Sequence, residues 1–342
     1  MHLSQSPWPS NWTATEPQPY LLATSGSNPC ASCHTNTQDG ETIVTVGPPG
    51  GESYIPIVYN SAVEPTKPLA GGNFYWMVKN NDDTLGHNAK SVIPDHHPDS
   101  NLTTTPGTMK GSTCGACHDS SMSDTTPYPD GNYKYLDCVF CHAAKGAHHA
   151  DDSATVVGET GKWYRYLNFD YFHPRSFVEG LGFCGVEGIE DPDWEQNASS
   201  GVHNEYAGDS GSTPSHSISK YCACCHGLFH GTANTGSDSP FIRHPTDFAI
   251  PNFGEYAEAF NASGGTGTYN PLTPIARDPS VLIGMSGPSP TVTLGSDQVQ
   301  CLSCHRPHGS PYPDMLRWNY EACQAGTSNS DCGCFVCHTK KD

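Results

Sequence analysis

Cys301-Leu302-Ser303-Cys304-His305 places two thiols three residues apart and an imidazole directly behind the second. The spacing recurs in Cys30, Cys33 and His34; in Cys114, Cys117 and His118; in Cys138, Cys141 and His142; in Cys222, Cys225 and His226; and in Cys334, Cys337 and His338. Sulfurs so placed can form thioether bonds to the two vinyl groups of one porphyrin while the next imidazole turns under the ring to bind iron. A zinc knuckle needs two ligand pairs per metal and has no reason to follow every second Cys with His. A disulfide framework has no use for the histidines, and cysteines three apart rarely bridge each other. Twelve of the 16 cysteines lie in these motifs. The pattern therefore predicts six covalently attached haem c groups, with the six motif histidines as proximal iron ligands.

Composition points the same way. Only 35% of residues are hydrophobic, mean hydropathy is -0.51, and 35 Gly with 29 Pro leave little material for a protein core. Burying a porphyrin supplies on the order of 10 kcal/mol per haem as an upper bound, so the haems serve as the core. The expected fold is mostly irregular coil with short helices at the motifs and little or no strand. It is an elongated single domain over 1–342 wrapped around a stack of six haems, with residues 1–29 as an extended Pro-rich arm, and it does not fold without cofactor. The aromatics between Gly161 and Ser219, among them Trp163, Tyr164, Tyr166, Phe169 and Trp194, could cover porphyrin faces or pack on one another.

No apolar run approaches the 18 or so residues that a membrane span needs, and Met1-His2-Leu3-Ser4 does not open a basic-then-apolar leader. Haem is joined to this motif outside the cytoplasmic membrane, so the chain is expected to be exported, to the cell surface or beyond. The four cysteines outside the motifs, Cys184, Cys224, Cys323 and Cys332, suit two disulfides in an oxidising compartment. Cys323 with Cys332, across a short Gly/Ser/Asn loop, is the first expected pair. A net charge of -19 disfavours nucleic acid and anionic membrane surfaces as partners.

The sixth position on each iron decides function, because a second histidine gives an electron carrier and an open position permits substrate chemistry. Of 18 histidines, twelve lie outside the motifs. His230 follows His226 by four residues and His308 follows His305 by three, so each could turn to a neighbouring haem. His87 in Leu85-Gly86-His87-Asn88 and His244 in Arg243-His244-Pro245 sit in loops. The alternative for any one of them is an exposed or hydrogen-bonded histidine.

The stretches Gly86-His87-Asn88, Leu102 to Gly107, Cys114 to Asp119, Tyr221 to His226 with His230, Ile242-Arg243-His244-Pro245 and Cys301 to Gly309 resemble the OmcS-like family of extracellular multihaem cytochrome filaments. So does a terminal Cys334-Phe335-Val336-Cys337-His338 close to the chain end. The resemblance implies that His87, His230, His244 and His308 are distal ligands and that subunits join head to tail, haem stack to haem stack. It also implies an axial histidine donated across that junction, an upstream cytochrome as electron donor and an extracellular acceptor. The chain departs from the pattern at Cys138, whose motif is an insertion, and at Cys30, which matches the family's second motif. Position 37, where the family carries the junction histidine, is Thr, and His2 on the N-terminal arm is the candidate substitute. His148 or His149 is the candidate for the inserted haem pair, with His216, His96 and His97 in reserve. A discrete electron shuttle is chemically equivalent. A reductase would show a variant motif or a cationic funnel, and 16 Lys and Arg against 35 Asp and Glu oppose the latter.

Overall fold

The computed structural model describes residues 29–89, 92, 138–142, 164–167, 185–211, 215–229 and 244–339. The described helices are α1 (Pro29–His34), α2 (Tyr75–Asn80), α3 (Cys138–Cys141), α4 (Ile218–His226), α5 (Pro279–Leu282) and α6 (Cys334–Cys337). Four of the six carry a haem motif. The strands are β1 (Thr35–Asn36), β2 (Ile43–Val46), β3 (Ser53–Pro56), β4 (Tyr59–Asn60), β5 (Gly188–Ile189), β6 (Glu205–Ala207), β7 (Phe248–Ala249), β8 (Thr266–Thr268), β9 (Ala276–Arg277), β10 (Thr291–Thr293) and β11 (Gln298–Val299). Helices are short as expected, but the expectation of little or no strand needs correction. Buried backbone must pair its N–H and C=O groups even where porphyrin fills space, and two to four residues of ladder at a time accomplish this.

One compact unit comprises the described residues of Met1–His96 with Pro192–Asn197 and Arg306–Met315. In it β2 and β3 form an antiparallel hairpin, and β1 pairs with β4 in parallel. Val46, Ile55 and Ile57 make a small core, and Phe74, Trp76, Met77, Leu85, Ala89 and Val92 make a second. The buried amides of Asn60 and Asn73 join the loops: Asn73 Nδ2 donates to Asn60 Oδ1 at 2.8 Å, and Asn60 Nδ2 donates to the Glu41 carbonyl at 2.9 Å. Gly72 bridges to Gly309 with φ +82°, where a Cβ would run into the Gly309 carbonyl, so only glycine lets these backbones meet.

The other unit comprises the described residues of His97–Asp191, Ala198–His305 and Leu316–Asp342. Its five-stranded mixed sheet runs β5-β6-β9-β11-β7, and β8 and β10 form a separate antiparallel pair. Tyr164, Val186, Tyr206, Ile218, Tyr221 and Ala276 form one core cluster; Ile250, Ala259, Phe260, Tyr269, Ile275, Val292 and Leu294 form the other. Tyr164 meets Tyr206 edge-on at 5.5 Å, so this member of the aromatic segment packs on a fellow aromatic.

Beside the second cluster lies a buried ionic knot. Arg277 donates to Glu205 through Nε at 2.7 Å and Nη2 at 3.1 Å, and to Asp297 through Nη1 at 2.7 Å. His203 donates from Nδ1 to the Ser199 carbonyl and from Nε2 to Glu205 Oε1, both at 3.1 Å, while its ring stacks on Tyr269 at 3.5 Å. The ring thus links the Ser199 carbonyl to the Glu205 carboxylate. Burial opposes charge on Glu205, but the bonds from His203 and Arg277 outweigh it and hold the carboxyl below its usual range. The stability this charge provides is full above the ordinary carboxylate range and is lost as pH falls through the lowered value. At Asp297 burial prevails over Arg277 and pushes the carboxyl up.

Cys323 and Cys332 form the expected disulfide, nine residues apart in sequence. Replacing both by Ser releases a short loop and is expected to cost about 2–3 kcal/mol, measured as a lower denaturant midpoint of the haem-loaded protein. Arg277→Met strands two buried carboxylates and is expected to cost more, about 3–5 kcal/mol in the same titration.

Candidate haem-binding motifs

The motif segments fold into one repeated turn. The histidine N–H donates to the first cysteine's carbonyl in Cys138–His142 at 2.7 Å, in Cys301–His305 at 3.1 Å and in Cys334–His338 at 2.8 Å. This turn puts the two cysteines, three residues apart, on one face. Neighbouring elements pin each turn. Ser217 caps α4, its Oγ accepting from Lys220 N at 3.0 Å, and Tyr221 on that helix donates its hydroxyl to the Cys141 carbonyl at 2.7 Å, which ties two motifs together. Cys301 N donates to Ser219 Oγ at 3.2 Å, and Arg317 N donates to the Cys304 carbonyl at 2.8 Å. Gly333, just ahead of Cys334, lies against the ring of Trp318, where a Cβ would collide with the indole.

The described motif sulfurs suit haem attachment. Cys30, Cys33, Cys138, Cys141, Cys222, Cys301, Cys304, Cys334 and Cys337 are thiols, whereas Cys323 and Cys332 are joined. Among the described residues, disulfide sulfurs and motif sulfurs are thus separate sets. Burial pushes the Cys304 and Cys337 thiols up to about 12. Surroundings that penalise a thiolate this strongly accommodate a thioether, which carries no charge at any pH. When bound, each haem would supply an iron that cycles between ferric and ferrous states, and the residues here hold and orient it.

The imidazoles are held in one recurring way. Nδ1 of His34 donates to the Pro56 carbonyl and Nδ1 of His142 to the Arg165 carbonyl, each at 2.7 Å. His338 Nδ1 lies 3.1 Å from the Glu255 carboxylate. Donation from Nδ1 selects the tautomer whose lone pair is on Nε2, the nitrogen that reaches a metal. Two of the candidate distal histidines follow suit: His87 donates Nδ1 to the Pro307 carbonyl at 2.7 Å, and His244 to the Pro245 carbonyl at 2.9 Å. His308 packs beside Phe74 with ring centres 5.1 Å apart. The rings of His244 and His338 stand 6.0 Å apart at 75°.

Several expected site residues lie outside the described residues: Cys114, Cys117, His118, His2, His148, His149 and His230, together with His96, His97, Cys184 and the side chains of Cys224 and Cys225. Of the histidines kept in reserve, His216 is described: its Nδ1 donates to the Gly185 carbonyl at 3.1 Å, and a Glu187 carboxylate oxygen lies 3.8 Å from the same nitrogen. His203 is committed to the ionic knot through both nitrogens. The partners that orient the rings, Pro56, Arg165, Glu255 and Pro307, were missed in the sequence because 22, 23, 83 and 220 residues separate them from their histidines.

Residues 295–342 match the family model for a doubled CXXCH motif. The chain is 25% identical over 335 residues to the C-type cytochrome OmcS of Geobacter sulfurreducens, spanning 87% of this chain and 72% of that one. Its fold is similar to that of the Outer Membrane Cytochrome S filament from the same organism, with a TM-score of 0.52 at 20% identity, over 93% of this chain and 82% of the other. Among the described residues no helix is long and apolar enough to cross a membrane. In motif, sequence and fold the chain is similar to the c-type cytochrome OmcS.

Proposed function

We propose that the chain carries six haem c groups, each iron held between two histidines, and that it moves electrons along them as the subunit of an extracellular filament. The observation that carries this reading is the His244–His338 pair, with rings 6.0 Å apart. Two imidazoles on opposite sides of one metal, each with a metal–nitrogen bond of about 2 Å, put their ring centres roughly that far apart. His338 belongs to the last motif and His244 to the set of candidate distal ligands, so the two roles assigned separately meet at one place. Anchored Nδ1 atoms on His87 and His216 extend the same arrangement to further distal candidates. His230 and His308, with His148 or His149, complete the proposed set. An iron ligated on both sides exchanges electrons without opening to substrate, which favours a conductor over a reductase.

Polymerisation is supported by likeness to a protein described as a filament and by a chain whose own junction ligand is His2 in this reading. Head-to-tail joining is a heterologous contact, which yields an open fibre when its rotation does not close. Electrons would enter from an upstream cytochrome and leave to an extracellular acceptor.

His244→Ala is expected to leave six haems by pyridine haemochrome assay and to turn one of them high-spin in low-temperature EPR, with added imidazole restoring the low-spin signal. A variant that stays wholly low-spin would remove His244 from the ligand set. Deleting residues 1–10 is expected to abolish filaments in cryo-electron micrographs and leave single particles with one high-spin haem. Intact filaments with six-coordinate irons would show that His2 is not the junction ligand.

A further inference from the structure

We infer that Glu255 tunes the haem of the Cys334 motif, holding its reduction potential below that of the same site without the carboxylate. The inference rests on the haem reading above and adds a role for a residue outside every motif. His34 and His142 each meet a neutral backbone carbonyl at Nδ1, whereas His338 meets the Glu255 carboxylate, with Oε1 at 3.1 Å. Hydrogen-bond acceptance by an anion draws the Nδ1 proton away from the ring and makes Nε2 a stronger donor to a metal. A ferric iron carries one more positive charge than a ferrous one, so a stronger donor and a nearby negative charge both favour the oxidised state.

Local structure makes the contact deliberate in geometry. Glu255 stands in the first turn of the 3-10 segment Gly254–Asn261, and the next residue, Tyr256, sets its ring 5.2 Å from the His338 ring at 65°. Thr339, which follows His338, donates its hydroxyl to the Glu255 carbonyl at 3.3 Å. The imidazole is therefore flanked by His244, Tyr256 and Glu255, and the Thr339 hydroxyl ties the Glu255 backbone to the residue after His338. His338 and Glu255 side chains are only 17% and 20% exposed, so solvent screens the pair incompletely. Glu255 touches the imidazole and not the iron, and is a positioning and tuning residue.

The test uses the haem-loaded full chain. In Glu255→Gln, an amide of the same shape keeps a hydrogen-bond acceptor and loses the charge. Spectroelectrochemical titration is expected to show one haem's midpoint moved upward, its ferric-to-ferrous ratio changed about tenfold, or 59 mV for one electron, with the remaining haems unmoved. Glu255→Asp is expected to return that midpoint most of the way, which a merely structural role would not do. An unmoved set of midpoints in Glu255→Gln, with haem content and low-spin EPR intact, would overturn the tuning role and leave the haem reading standing. Loss of the haem c spectrum from the unmodified protein would defeat the haem reading itself. Should Glu255→Gln fail to fold, Glu255→Ala takes its place, and midpoints identical to the parent's with haem content and low-spin EPR intact would refute the proposal.

Discussion

A histidine that follows its cysteine at once has little freedom, because the two thioether bonds pin the turn from which it springs. The hydrogen bond at Nδ1 settles the rest. It fixes the rotation of the ring and the tautomer together, and so decides whether Nε2 points at iron with a lone pair or with a proton. Much of the architecture can be understood as a means of delivering those acceptors. The β2–β3 hairpin ends at Pro56, whose carbonyl receives His34; the turn at Tyr164 to Leu167 offers Arg165; the 3-10 segment after Phe253 offers Glu255. These segments are short because each has one carbonyl or carboxylate to present and a few side chains to bury.

The protein core complements the haems without competing with them. Its clusters are small, and buried charges are neutralised in place: Arg277 faces Glu205 and Asp297, and His203 bonds to Glu205 as well. Breaking such a knot is costly, while forming it contributes little net stability, so its value is in specifying one arrangement of β6, β9 and the loop before β11. That reading suits a chain of 35% hydrophobic residues, in which packing alone does not select among many loop conformations. A net charge of -19 acts at longer range and keeps such a chain dispersed.

The motifs were legible because everything they need lies within five residues. The Cys323–Cys332 disulfide was legible for the same reason, a short polar loop between two cysteines left over from the haem set. His87 and His244 were legible as candidates through their loops and through resemblance, yet the proximity of His244 to His338 was not, since the two lie 94 positions apart in the chain. The strands were illegible in another way. Runs of two residues such as Gly188–Ile189 or Gln298–Val299 have no periodicity to detect, and they become strands only when distant backbone arrives to pair with them.

The contrast between neutral and charged acceptors gives the scaffold a second task beyond holding the haems apart. With the same covalent attachment and proximal ligand at every motif, the proposed haem sites would differ in potential only through what surrounds the rings. A carbonyl at His34 and His142 and a carboxylate at His338 are a minimal means of making them differ, because exchanging one acceptor alters the electron density at Nε2 without moving the ring. Long-range sequence separation then becomes useful. An acceptor 83 residues from its histidine can change without disturbing the motif, so the potential of a haem and its attachment are controlled by different parts of the chain.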